Sequence, residues 1–211
     1  MSRQLPVYIV LDTSGSMRGE PIAAVNVGLR SMLAALRQDP FALETVRVCV
    51  MTFDIDARVI VPLTPLDTVV IPEVVVPSSG ATFLGKAMQL VVQTIHADVA
   101  AVRPGNQRDW RPLLFVMTDG APSDQHHFDL MVPEVLRCQF SVIVACGAGP
   151  RARLDILRKL TNRVVALDTM DASSFAGFFS WVSSSVSGMS SSAGTGSTTL
   201  PPPPDAVNIA I

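Results

Sequence analysis

Two apolar runs in this chain, Leu5-Pro-Val-Tyr-Ile-Val-Leu-Asp12 and Leu113-Leu-Phe-Val-Met-Thr-Asp119, each end in a carboxylate. Nothing else in the sequence restricts the fold as much. A nearly continuous apolar strand is covered on both faces, and that is the condition of strands in parallel sheets flanked by helices. The first run leads into Thr13-Ser-Gly-Ser16, so one carboxylate and three hydroxyls crowd the end of one strand. The second leads into Gly120.

The intervening patterns fit that frame. Apolar residues from Glu20 to about Arg37 recur at helical spacing, and Pro21 suits a first helical turn. The runs Val46 to Asp54 and Ala57 to Leu63 are separated by two residues, which permits only an antiparallel hairpin, and Pro62 places its second strand at an edge. Thr64 to Ser79, with Pro65, Pro72 and Pro77, reads as an extended connector in which Val74 to Val76 is a candidate short strand. A hydroxyl-rich loop, Pro77-Ser-Ser-Gly-Ala-Thr82, feeds a helix to about Val102. From Trp110 the order is strand (to Asp119), helix (Phe128 to Arg137), strand (Phe140 to Gly147), helix (Arg151 to Leu160), strand (Val164 to Leu167) and helix (Ala172 to about Val186). The predicted fold is a doubly wound α/β domain, its sheet mostly parallel with an antiparallel edge. Residues 1–187 form the domain and residues 188–211 a Ser/Gly/Pro-rich flexible tail, beginning in a composition that shifts from about Ser183. For the run Pro201 to Pro204, a solubilising role is preferred to docking on an aromatic groove.

Composition narrows the function classes. At 211 residues, 48% of them hydrophobic, the chain can bury a full core, yet no stretch approaches the ~18 uninterrupted apolar residues of a membrane span. The net charge of −2, with no basic stripe, gives no reason to expect nucleic acid as a partner. The start of the chain has no secretory pattern, and the expected location is cytoplasmic. Cys49, Cys138 and Cys146 lack metal-like spacing and read as buried free thiols.

In open α/β sheets, ligands bind beyond the carboxyl ends of the strands, where the strand order reverses. If the two aspartate-ended strands are neighbours, Asp12, Ser14, Ser16, Asp119 and the Thr82 loop meet there. Each residue alone could as well cap a helix or start a turn. Together they form a set of hard oxygen ligands with only two carboxylates, suited to Mg²⁺, with Mn²⁺ or Ca²⁺ as alternatives. Asp54 and Asp56 are hairpin-turn residues first, Asp54 with a candidate place at the rim. His126 and His127 are expected in a solvated loop beyond Asp119, and His96, on a helix, as a surface or packing residue. No phosphate-binding Gly-rich loop of the G-x-x-x-x-G-K-[ST] type is present.

The combination Asp12-x-Ser14-x-Ser16, a separate Thr82, and Asp119-Gly120 after an apolar strand resembles the metal-ion-dependent adhesion site (MIDAS) of von Willebrand factor type A (vWA) domains. The resemblance implies that all five residues approach one ion and that a partner protein's carboxylate completes its shell. Further stretches, including Asp39-Pro-Phe-Ala-Leu-Glu44, Val61-Pro-Leu-Thr64, Val144-Ala-Cys-Gly-Ala-Gly149 and Phe178-Phe-Ser-Trp-Val-Ser183, are similar to the tellurite-resistance-associated TerY group of bacterial vWA proteins. That resemblance implies a stress-response setting, with a Ser/Thr protein kinase and a PP2C-type phosphatase as partners. One departure is Ala81, where many relatives have a second glycine. The expected function is thus a metal-dependent protein-binding module, not an enzyme. The alternative is a metal-dependent phosphoester hydrolase with His126 or His127 as acid. Phosphorylation of Ser183 to Thr199 by such a kinase is a further expectation.

Overall fold

The computed structural model describes residues 3–77, 80–100, 109–192, 200–202 and 208–209. Strand β1 (Leu5–Asp12) is buried along all eight residues. It is followed by a short 3-10 turn (Gly15–Met17) and by helices α1 (Glu20–Leu36) and α2 (Pro40–Thr45). Strands β2 (Val46–Phe53) and β3 (Ala57–Pro65) form the antiparallel hairpin, and helix α3 (Leu84–Ala100) comes next. Then come β4 (Leu113–Thr118), α4 (Gln125–Arg137), β5 (Val142–Ala148), α5 (Leu154–Leu157), β6 (Val164–Leu167), α6 (Ala172–Ser192) and β7 (Asn208–Ile209).

The sheet order is β3-β2-β1-β4-β5-β6-β7, parallel from β2 through β6. The fold is therefore the expected α/β sheet, mostly parallel, with an antiparallel hairpin at one edge. The chain leaves β1 for β2 on one side, and later places β4 on the other side, so the order reverses between β1 and β4. Asp12 and Asp119 lie at that point.

Alternation along β1 divides the core in two. Leu5, Val7, Ile9 and Leu11 face a cluster built with α1, α2 and α6, whereas Tyr8 and Val10 face one built with α3, α4 and α5. Burying each such aliphatic side chain contributes about 1.5–3 kcal/mol. On the first flank Gly28 of α1 lies beneath Phe179 of α6: a Cβ there would be 2.1 Å from the ring. On the second, Gly85 of α3 meets the backbone of Phe128 in α4, where a Cβ would be 2.5 Å from the Phe128 nitrogen. Only glycine allows either approach.

The structure corrects several expected boundaries. Helix α4 begins at Gln125, so His126 and His127 occupy its first turn and not a loop. Helix α5 spans only Leu154–Leu157. The segment 66–77 contains no strand, although the Asn26 amide pairs with both the N–H and the carbonyl of Val74 at 2.8 Å, as a neighbouring strand would. Helix α2 follows an Asp39 side chain that accepts the Phe41 and Ala42 N–H groups, with Pro40 at its start.

The largest change concerns the end of the chain. Helix α6 passes residue 187 and continues to Ser192, with Ser183, Ser185 and Ser190 buried. The proline-rich stretch meets an aromatic residue of its own chain: the Trp181 indole N–H donates to the Pro201 carbonyl at 2.9 Å, and Leu200 packs on the core. Asn208–Ile209 then pairs antiparallel with β6. Residues 193–199, the remainder of the expected phosphorylation segment, lie outside the described residues. Among the described residues no helix is long and apolar enough to cross a membrane.

Candidate metal centre

Parallel pairing of Leu11 with Met117 brings the next residues, Asp12 and Thr118, side by side. The Asp12 carboxylate is 1% exposed; its Oδ2 accepts the Thr118 hydroxyl at 2.6 Å and its Oδ1 accepts the Ser14 N–H at 2.7 Å. Thr13 secures the turn to β2, donating from both its N–H and its hydroxyl to the Phe53 carbonyl, at 2.8 and 3.0 Å. The 3-10 turn then folds Ser16 back, so that its Oγ lies 3.2 Å from Ser14 Oγ and donates to Asp119 Oδ1 at 2.8 Å. Two strand ends and one turn thus share a continuous hydrogen-bonded set.

The backbone of the Thr82 loop is bonded to residues that follow β2 and β4. Phe83 N–H donates to the Asp54 carbonyl at 2.8 Å, and Ser123 N–H donates to the Thr82 carbonyl at 2.8 Å. Thr82 N–H returns a bond to Ser123 Oγ at 3.2 Å. The Thr82 hydroxyl sits against Gly120, 3.7 Å from where a Cβ would be. Asp54 is buried, and its Oδ1 accepts the Asp56 N–H at 3.0 Å. Its place is therefore in the framework under the third loop.

Burial is the largest cause of the Asp12 pKa rising to about 6; bonds from Thr118 and Ser14 hold it down, and the nearby Asp119 charge adds to the rise. Asp119 is equally buried, and its Oδ2 accepts no hydrogen bond from the described residues. Two carboxylates and the Ser14 and Ser16 hydroxyls are brought together here, the Thr82 hydroxyl lies beside Gly120, and one carboxylate oxygen is buried and unbonded. Such hard oxygens could hold a divalent cation. Among the described residues no three His, Cys, Asp or Glu side chains are grouped so that they could hold a metal ion, so an ion here would depend on the hydroxyls.

The histidines stand apart. His127 Nδ1 is 3.7 Å from Asp124 Oδ2, and His126 and His96 are exposed on α4 and α3. Four contributors were not singled out from the sequence: Thr118, Ser123, Asp124 and Arg151. Asp124 precedes α4 yet caps α3, its two oxygens accepting the Gly85 and Lys86 N–H groups at 3.0 Å each. Arg151 Nη2 is 3.6 Å from Asp119 Oδ2, close enough for an ion pair and too long for a hydrogen bond. Only the Met117-Thr-Asp-Gly120 context offered a sequence signal, for Thr118; the others required the fold.

Comparisons with known proteins agree with the architecture. The chain superposes on proximal thread matrix protein 1 of the mussel byssus with a TM-score of 0.64 at 14% identity, over 87% of this chain and 48% of that one. The same mussel protein with a zinc-occupied MIDAS motif gives 0.58 at 14% identity, over 87% and 48%. A von Willebrand factor type A protein from Catenulispora acidiphila gives 0.62 at 14% identity, over 89% and 44%. The pilus adhesin SpaC from Lactobacillus rhamnosus GG gives 0.69 at 12% identity, over 88% and 31%. The chain therefore spans less than half the length of each of these structures. No curated protein matches it significantly. The model of the von Willebrand factor type A domain matches residues 7–176, and the chain belongs to that family.

Proposed function

We propose that the chain is a metal-dependent protein-binding module. In this reading a divalent ion, Mg²⁺ with Mn²⁺ or Ca²⁺ as substitutes, rests on Asp12, Ser14, Ser16, Thr82 and Asp119. A carboxylate of a partner protein completes its shell. The observation that carries the reading is the buried, unbonded Asp119 Oδ2 beside hydroxyls that already converge through Ser16. When bound, the ion supplies an electrophilic centre for an acidic ligand, because only two protein carboxylates neutralise it. Zinc in the MIDAS motif of the mussel relative supports a divalent ion in general.

The chain's own residues do the positioning. Thr118 and the Ser14 N–H orient Asp12, Ser16 orients Asp119, and the bonds from Phe83 and Ser123 hold the Thr82 loop in place. His127 faces Asp124, the carboxylate that caps α3, which favours binding over a hydrolase with this histidine as acid. We assign the protein to the cytoplasm and to a TerY-type stress-response system, with a Ser/Thr kinase and a PP2C-type phosphatase as partners. The setting and partners rest on the resemblance to the TerY group, and the location on the sequence pattern.

Affinity purification with Mg²⁺, with EDTA and with Asp12→Ala tests the proposal. Kinase or phosphatase should be retained only by the wild-type chain with Mg²⁺. Equal retention under all three conditions would remove the metal-dependent reading.

A further inference from the structure

The socket holds two buried carboxylates, each 1% exposed, and the exposed Arg151 reaches one of them, Asp119. Asp119 Oδ1 is occupied by the Ser16 hydroxyl, whereas Oδ2 accepts no hydrogen bond from the described residues and lies 3.6 Å from the Arg151 guanidinium. We infer that Arg151 is a tethered counter-cation: it neutralises Asp119 while the socket is free of metal and must swing away before a divalent ion can be held there. The residue thereby sets the affinity of the centre for metal. The inference rests on the metal-binding reading above and concerns how that site is regulated.

The base of Arg151 is fixed while its head is free. Gly149 N–H donates to the Leu167 carbonyl at 2.7 Å, and Ala152 N–H to the Gly149 carbonyl at 3.3 Å, so the β5–α5 loop is bonded to β6 and to itself. Ala152 and Leu154 press onto Gly147 of β5, where a Cβ would be 2.9 Å from one and 2.4 Å from the other. The Arg151 side chain is nevertheless 70% exposed and can turn into solvent without disturbing its backbone.

The neighbouring cations are otherwise engaged. Arg153 holds both oxygens of Asp155 at 2.9 and 2.8 Å. Arg18 Nη2 donates to the Pro77 carbonyl at 3.2 Å, and Lys86 Nζ to the Ile55 carbonyl at 2.8 Å. A guanidinium and a divalent cation cannot share one carboxylate oxygen at contact distance without strong repulsion in a buried site. The two cations are therefore alternatives at Asp119 Oδ2.

Calorimetric titration of the full chain with Mn²⁺ tests this. Arg151→Ala should bind Mn²⁺ roughly 5–20-fold more tightly than wild type, and Arg151→Gln should behave similarly, because the competing charge is gone. Arg151→Lys should stay near wild type, and Arg18→Ala and Lys86→Ala should lie within about twofold of it. In EDTA, Arg151→Ala should melt below wild type, since Asp119 loses its counter-charge. Unchanged or weaker binding by folded Arg151→Ala and Arg151→Gln overturns the inference, as does an equal tightening in Arg18→Ala. If wild type binds no Mn²⁺, the metal-binding reading falls and this inference with it. If wild type and both Arg151 variants bind alike, only the inference falls.

Discussion

The two flanks of the sheet use the same packing device for different ends. In each, a glycine of one helix lets another helix come close: Gly28 under the Phe179 ring between α1 and α6, and Gly85 against the Phe128 backbone between α3 and α4. The first contact falls mid-helix among apolar neighbours, remote from any polar residue of the socket. The second falls at two helix starts, three residues after Thr82 and nine after Asp119, where Asp124 also supplies the cap of α3. Close packing in the middle of a helix adds stability; at a helix start it fixes where loops emerge, and here those loops carry the socket.

The contrast can be broken by experiment. Phe179→Ala should cost about 3–5 kcal/mol in urea unfolding, while the metal affinity of the folded fraction stays at the wild-type value. A parallel loss of affinity would show that the α1–α6 flank also sets the site.

Asp12→Asn should do the opposite, stabilising the metal-free protein at pH 7 by about 2–3 kcal/mol and abolishing stabilisation by metal. An asparagine can still accept the Ser14 N–H and donate to Thr118 Oγ1, so it keeps the geometry and loses the buried charge. The sign follows from the raised pKa of about 6. Between pH ~4 and ~6 the native protein holds a proton that the unfolded chain has released, so this contribution is full below the window and gone above it. In EDTA the wild type should therefore weaken as pH rises through the window, and Asp12→Asn should not. Urea unfolding at pH 4.5 and 7 measures the difference.

Asp124→Ala should have the smallest effect on stability, about 1 kcal/mol for a lost helix cap. Its consequence should appear in Mn²⁺ titration as weakened binding, because the start of α3 and the Thr82 loop beside it lose an anchor. Unaltered binding would mean that the Phe83 and Ser123 bonds position that loop without the cap.

Much of this was legible in the sequence, and the exceptions share physical causes. The strands β1, β2 and β4 announced themselves as continuous apolar runs, and the hairpin by its two-residue connection. Composition misled in α6, because serine-rich sequence suggests a linker. Here Val182, Val186 and Met189 keep facing the core, and the Ser184, Ser185 and Ser191 hydroxyls bond back to carbonyls four residues earlier. Histidines at 126 and 127 hid the start of α4, since its first turn carries little apolar signal. In the socket, Asp12, Ser14 and Ser16 are close in sequence and readable as a motif. Thr118 depends on the β1–β4 register, and Arg151 on a loop that only the assembled sheet brings near Asp119.

The place of β1 also bears on mechanical load. It pairs with β2 along its whole length, Leu5 to Asp12, and with β4 from Val7 to Leu11. A partner anchored at Asp12 and pulled along the strand axis would load both ladders in shear, so that their bonds must yield together and not one at a time. By contrast, a pull on Asn208–Ile209, paired through two residues at the far edge, would peel that strand away from β6. Tension applied along β1 would thus be shared by two ladders, and tension on Asn208–Ile209 by one short one.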